Sequence, residues 1–276
     1  MIVTDSSACL PADVIAQYGI RVVPLALVIG GETVPDGALS AEELFALIDG
    51  ADGPPKSAAP APGEFAAGFR AELEAGAEEI LCLTLSAAYS GTYEAAVAGA
   101  AMIGPQVRVV DTDGLAMTHG FAVLAGARSL VAGGSLDDAA ALAKAVGAGG
   151  GLVGALDTLR YLVKGGRVPR VVGWAAAALS IKQMLAFEGG SAQPIGRART
   201  MAKACERLVD YAARKHTNGR GMRVAVMHTG APEMAERLAE AARERLSPVE
   251  MMITELTSVM AAHTGPGFVG LAVSDD

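Results

Sequence analysis

Residues 80–97, ILCLTLSAAYSGTYEAAV, constrain the fold more than any other stretch of the chain. Ile80 to Leu85 is a short apolar run opening on a β-branched residue, which reads as a buried strand; Ser86 to Gly91 interrupts it, and a helix is predicted from Thr92. A strand, a polar turn and a helix in that order put the turn at the carboxyl end of the strand. In an open α/β sheet, this is where the first free N–H groups of the following helix point outward and where ligands sit. Ser86, Ser90 and Thr92 place hydroxyls there, able to donate to and accept from an oxygen-rich head group without adding charge.

The same unit recurs. IVTDSSACLP reads as a strand from Ile2 to Thr4, a turn at Asp5 to Ser7 that either caps the next helix or faces a ligand, and a helix from near Pro11. VRVVDTDG reads as a strand from Val107 to Val110, an AspThrAspGly turn and a helix from about Leu115 to Ala132. Another helix runs from Leu136 to Val146 behind Ser135. Alternating strands and helices predict an α/β domain over residues 1–154, with a largely parallel sheet and helices on both faces. Within it, Ile20 to Ile29 reads as a strand with Pro24 marking an edge or an end. Ser40 and Glu43 form a capping box for AEELFALIDG. Prolines 54, 55, 60 and 62 make ADGPPKSAAPAPGEF a linker, stiff enough to hold Lys56 and Ser57 in one place, before a helix from Pro62 to about Gly76.

Gly149, Gly151 and Gly154 satisfy GxGxxG, but a helix precedes them and a strand, Leu152 to Leu156, follows, the reverse of a dinucleotide site. Residues 155–276 read as an α+β domain with a mixed sheet. It comprises a short helix ending at Gly165 and Gly166, a buried helix over 171–181, and a hairpin of KQMLAFE with SAQPIGRA. A helix from Met201 to His216, the strand RVAVMH, the helix PEMAERLAEAARERL, the strand MMITEL and a closing strand come next. His228 is expected to bond within its turn; His263, in AAHTGPGFVG, is held by a Gly/Pro turn, in either a structural or a ligand-facing role.

A net charge of −8 with no stripe of Lys and Arg argues against a nucleic-acid surface. Cys9, Cys82 and Cys205 are odd in number and show no CxxC spacing, which argues against disulfide and zinc frameworks and for a reducing, cytoplasmic setting. The opening IVT run without a basic region argues against a signal peptide, and the apolar run 171–181 is too short to cross a bilayer. No P-loop or magnesium-binding carboxylate cluster is visible. A serine hydrolase would use Ser86 or Ser90 with His263 and an acid such as Asp111 or Asp113, but there is no GxSxG elbow.

Taken in order, IVTDSSACLP, VVPL, PKSAAPAPGEF, LSAAYSGTYEAA, RVVDTD, LRYLVKGGRV and HTGPG resemble the DegV family over nearly the whole chain. The resemblance implies a non-enzymatic, two-domain carrier that holds one long-chain fatty acid between its domains. It also implies presentation of the carboxyl group to a partner fatty-acid kinase for acyl-phosphate formation, with no cofactor, metal or catalytic residue. It further implies head-group roles for Ser57, Ser90, Gly91, Thr92 and His263, and kinase contacts at Arg167 and Arg170. Two departures stand out: Ala58 and Ala59 replace a hydroxyl and an amide, and Tyr89 replaces a leucine. The competing reading is an ester-cleaving serine hydrolase built on Ser90 and His263.

Overall fold

In a computed structural model of the 276-residue chain, residues 1–164, 181–188, 190–215 and 221–275 are described. The chain begins with β1 (Ile2–Asp5), a single 3-10 turn (Ser6–Ala8), α1 (Ala12–Tyr18), β2 (Arg21–Val23), β3 (Ala26–Ile29), β4 (Glu32–Pro35) and α2 (Ala41–Gly50). Then come β5 (Lys56–Ala58), α3 (Pro62–Glu74), β6 (Ile80–Thr84), α4 (Thr92–Ala101), β7 (Val107–Asp111), α5 (Met117–Val131), α6 (Leu136–Gly149), β8 (Gly151–Leu156) and α7 (Arg160–Lys164). The remainder is β9 (Lys182–Glu188), β10 (Ser191–Ala198), α8 (Met201–Lys215), β11 (Met222–His228), α9 (Pro232–Leu246), β12 (Glu250–Glu255), α10 (Ser258–Thr264) and β13 (Val269–Asp275).

These elements form two compact units, residues 1–26 with 57–149 and residues 27–56 with 150–276. The stretch 27–56, expected in the N-terminal domain, therefore groups with the C-terminal half. Its contacts explain this: the Val259 backbone N–H donates to Asp36 at 2.8 Å, and Ser258 Oγ donates to the Leu39 carbonyl at 3.2 Å.

The first unit is a four-stranded, wholly parallel sheet in the order β2-β1-β6-β7. Strand alternation sorts its side chains into two layers. Val3, Ile80 and Cys82 pack with Phe65 and Phe69 of α3 and Ala96 of α4. On the opposite face Leu83 lies against Gly126 of α5, and Ala139 and Ala143 of α6 pack over that glycine. Phe65 and Phe69 are fully buried, each contributing about 1.5–3 kcal/mol relative to exposure.

The second unit holds a six-stranded sheet, β10-β9-β8-β13-β11-β12, in which only β11 and β12 run parallel. Small and aliphatic residues of α8 and α9, among them Ala204, Leu208, Leu238 and Ala242, cover the Val153, Val224 and Leu271 face. The predicted hairpin is present as antiparallel β9 and β10, with a register shift between Pro194 and Gly196.

Three local expectations are corrected. The run Ile20 to Ile29 is two strands in different sheets, divided after β2 by Pro24, which lacks the N–H that a continuous strand needs. Lys56 and Ser57 lie in β5, the outer strand of a small β4-β3-β5 sheet, and not in a linker. His263 sits in the last turn of α10, and the left-handed residue Gly265 (φ 80°) ends that helix after it. The helix expected over 171–181 falls, apart from Ile181, outside the described residues.

Candidate functional site

The turn after β6 is built as the sequence implies. Ser90 and Thr92 bring their hydroxyl oxygens to 2.8 Å of each other, Thr92 fully buried and Ser90 half-buried. Gly91 is exposed and forms the N-cap of α4 without a side-chain capping hydrogen bond. Ser86 is tied down: its Oγ donates to Asp113 Oδ1 (3.0 Å) and accepts from the Ala88 N–H (3.3 Å), while its own N–H donates to the Gly114 carbonyl (2.8 Å). Asp111 accepts from the N–H groups of Ala87 (3.2 Å) and Asp113 (2.8 Å). The loop after β7 thus clamps the loop after β6, and it adopts two positive-φ non-glycine conformations, Asp113 (57°) and Ala116 (49°).

Beneath this turn lies a buried polar network that the sequence reading missed. Asp5, fully buried at the end of β1, accepts at Oδ1 from the Ser7 N–H (3.0 Å) and hydroxyl (2.5 Å), and at Oδ2 from the Leu85 N–H (2.9 Å). His119 of α5, also inaccessible, has Nε2 at 3.0 Å from Thr4 Oγ1 and 3.5 Å from Asp5 Oδ2, with Nδ1 at 3.0 Å from Thr112 Oγ1. Burial alone would raise the Asp5 carboxyl, but the His119 ring and the donors from Ser7 and Leu85 hold it below the ordinary aspartate range. Burial, followed by the charge of Asp5, drives the Cys82 thiol well above its usual value. The only hint in the sequence was a histidine opening the helix after an AspThrAspGly turn, seven residues past Thr112.

The remaining predicted residues lie on other elements. Ser57 lies half-buried in β5 of the first unit, and His263 half-buried in α10 of the second. Arg167 and Arg170 lie outside the described residues. His228 behaves as a turn residue: its Nδ1 accepts from the Ala231 N–H at 3.4 Å, and burial lowers its proton affinity against the opposing pull of Glu255. Among the described residues, no group of three or more His, Cys, Asp or Glu side chains is placed to hold a metal ion, and no helix is long and apolar enough to cross a membrane.

The DegV family model matches residues 1–276. The chain belongs to the DegV family. A DegV domain-containing protein of Streptomyces coelicolor is 39% identical over 274 residues, 99% of this chain and 97% of that protein. Among solved structures, a fatty-acid-binding DegV family protein from Thermus thermophilus superposes with a TM-score of 0.91 at 29% identity, covering 100% of this chain and 99% of its own. A Thermotoga maritima protein whose structure revealed a fatty-acid-binding function does so with a TM-score of 0.89 at 26% identity, covering 100% and 98%. The α/β architecture read from the sequence is thus that of the DegV fold. Within this DegV chain, the Ser90–Gly91–Thr92 corner stands at the carboxyl end of β6, as open α/β sheets place their ligand sites.

Proposed function

We propose that this chain is a non-enzymatic carrier that binds one long-chain fatty acid and presents its carboxyl group to a partner fatty-acid kinase. The observation that carries the reading is full-length structural likeness to DegV proteins that bind fatty acids, joined to a hydroxyl pair at a helix start whose N-cap, Gly91, makes no side-chain capping bond. In this proposal Ser57, Ser90, Gly91, Thr92 and His263 contact the carboxylate, and Arg167 and Arg170 meet the kinase. Each charge-assisted hydrogen bond to the carboxylate is worth about 1.5–3 kcal/mol. The acyl chain, at about 0.8 kcal/mol per buried methylene, supplies on the order of 10 kcal/mol gross. The tail therefore provides most of the affinity, and the hydroxyls fix orientation.

For the hydrolase reading, built on Ser90 and His263, the turn offers a Ser90 hydroxyl paired with that of Thr92, while Ser86 donates to Asp113. Denaturing mass spectrometry of the purified protein is the direct test: one fatty acid per chain is expected, and a lipid-free chain that also fails to take up added stearate refutes the proposal. A Ser57→Ala/Ser90→Ala variant should keep its lipid while losing most phosphoryl transfer by an added fatty-acid kinase. Undiminished transfer would remove both serines from the head-group assignment.

A further inference from the structure

Two threonine hydroxyls face the ring nitrogens of His119. Each threonine hydroxyl has a single proton, and both are directed at backbone carbonyls, that of Thr4 at Leu83 (2.9 Å) and that of Thr112 at Thr84 (2.9 Å). Toward the ring, both oxygens therefore stand as acceptors, 3.0 Å from Nε2 and 3.0 Å from Nδ1. Thr112 Oγ1 also accepts from the Gly114 N–H at 3.2 Å. A bare Nδ1 would set a lone pair against a hydroxyl lone pair, or would require the Thr112 hydroxyl to turn from the Thr84 carbonyl, which also accepts from the Thr112 N–H at 3.1 Å. The ring is inaccessible to solvent, and the group facing it with formal charge is Asp5, itself inaccessible and already accepting three hydrogen bonds. A buried carboxylate in that setting is stabilised by a counter-charge.

We propose that His119 carries both ring protons in the folded chain and forms with Asp5 a buried ion pair that positions the Ser86–Thr92 turn. The ring joins the ends of β1, through Thr4 and Asp5, to the loop after β7, through Thr112. Asp5 in turn holds the Leu85 N–H, the residue from which the turn departs. From there the fixing continues through Ser86 to Gly114 and Asp113, and through Ala87 to Asp111. Other titratable groups close to the pair are the buried Cys82 thiol and the carboxylates of Asp111 and Asp113, the latter two engaged with the turn itself. His119 is thus a positioning residue that reaches the turn through Asp5 and Leu85. That part of the inference rests on the fatty-acid reading; the charge state does not.

Histidine-selective 15N labelling of the full-length wild-type chain tests the charge. Two-bond proton–nitrogen correlation spectra near neutral pH distinguish a doubly protonated ring from either neutral tautomer. The four histidines are assigned by elimination with His216→Gln, His228→Gln and His263→Gln, so that His119 is left intact. Two protonated nitrogens are expected for His119, and one bare nitrogen overturns the ion pair whether or not the chain holds a lipid. Positioning is read from stearate labelled with 13C at the carboxyl carbon, bound to wild type and to His119→Gln. The expected result is unchanged lipid stoichiometry with a displaced carboxyl resonance. Where the Gln variant does not fold, Thr112→Val, which removes the hydroxyl facing Nδ1 together with its bonds to the Thr84 carbonyl and the Gly114 N–H, should displace the resonance in the same way. An unmoved resonance in the folded variant refutes the positioning role, whereas failure of wild type to bind stearate counts against the fatty-acid proposal alone.

Discussion

Gly147→Ala isolates a packing constraint that helix propensity would misjudge. Gly147 lies in α6, where alanine is intrinsically favoured by about 1 kcal/mol over glycine. A Cβ built there, however, would sit 2.1 Å from the Thr112 carbonyl oxygen, 3.0 Å from its carbon and 3.1 Å from the Thr112 Cβ. The obstacle is backbone, so no rotamer change relieves it; α6 must withdraw by about an ångström from a loop that also carries an acceptor for His119. Overpacking of this kind costs about 1–3 kcal/mol or more, and the rigid partner places the cost at the upper end. The net result is a loss of about 2 kcal/mol despite the gain in propensity. Gly149, two residues on in the same helix, has nothing within 4 Å of the position a Cβ would take, so Gly149→Ala should leave stability unchanged or slightly raised. Urea unfolding followed by far-ultraviolet circular dichroism compares both variants with wild type. A Gly147→Ala chain as stable as wild type would refute the packing argument.

Asp5 should govern the acid limb of stability. Its folded value lies below the ordinary 3.8, so its contribution is complete above the unfolded value and is lost as pH falls through the folded one. Urea midpoints should drop steeply below about pH 4 in wild type and more gently in Asp5→Asn, and parallel acid limbs would contradict the assignment. Cys9, Cys82 and Cys205 are all buried, and burial pushes the Cys205 thiol up to about 11. The native chain should therefore resist a thiolate-directed reagent at neutral pH and expose three reactive thiols in urea. Rapid labelling of Cys205 in the folded protein would show that α8 opens far more readily than its packing implies.

The strand-turn-helix units were legible because strand and helix periods differ and because serine, threonine and glycine punctuate the change. Thr92 opens α4 where the sequence places it, and the Ser40–Glu43 box closes as read, with the Glu43 N–H donating to Ser40 Oγ and the Ser40 N–H to Glu43 Oε2. What escaped depends on distant partners. A three-residue strand flanked by prolines, β5, has no periodicity to detect. His119 acquires its meaning only when β1, β6 and β7 bring Thr4, Asp5 and Thr112 around it. The GxGxxG run has a helix before it and a strand after it, as read, but the packing at Gly154 was hidden, since a Cβ there would meet the Phe268 ring at 2.4 Å, more than a hundred residues along the chain.

The chain passes between its two units three times, within β3 at Ala26–Leu27, within β5 at Lys56–Ser57, and at Gly149–Gly150. During synthesis, residues 27–56 leave the ribosome long before Ser258 and Val259, the residues that will hold Leu39 and Asp36. Residues 1–149 can complete the parallel sheet while this early segment waits, tethered at both ends. No single cut separates the two units, so a truncated gene product or a nick in 27–56 strands part of one unit on the other.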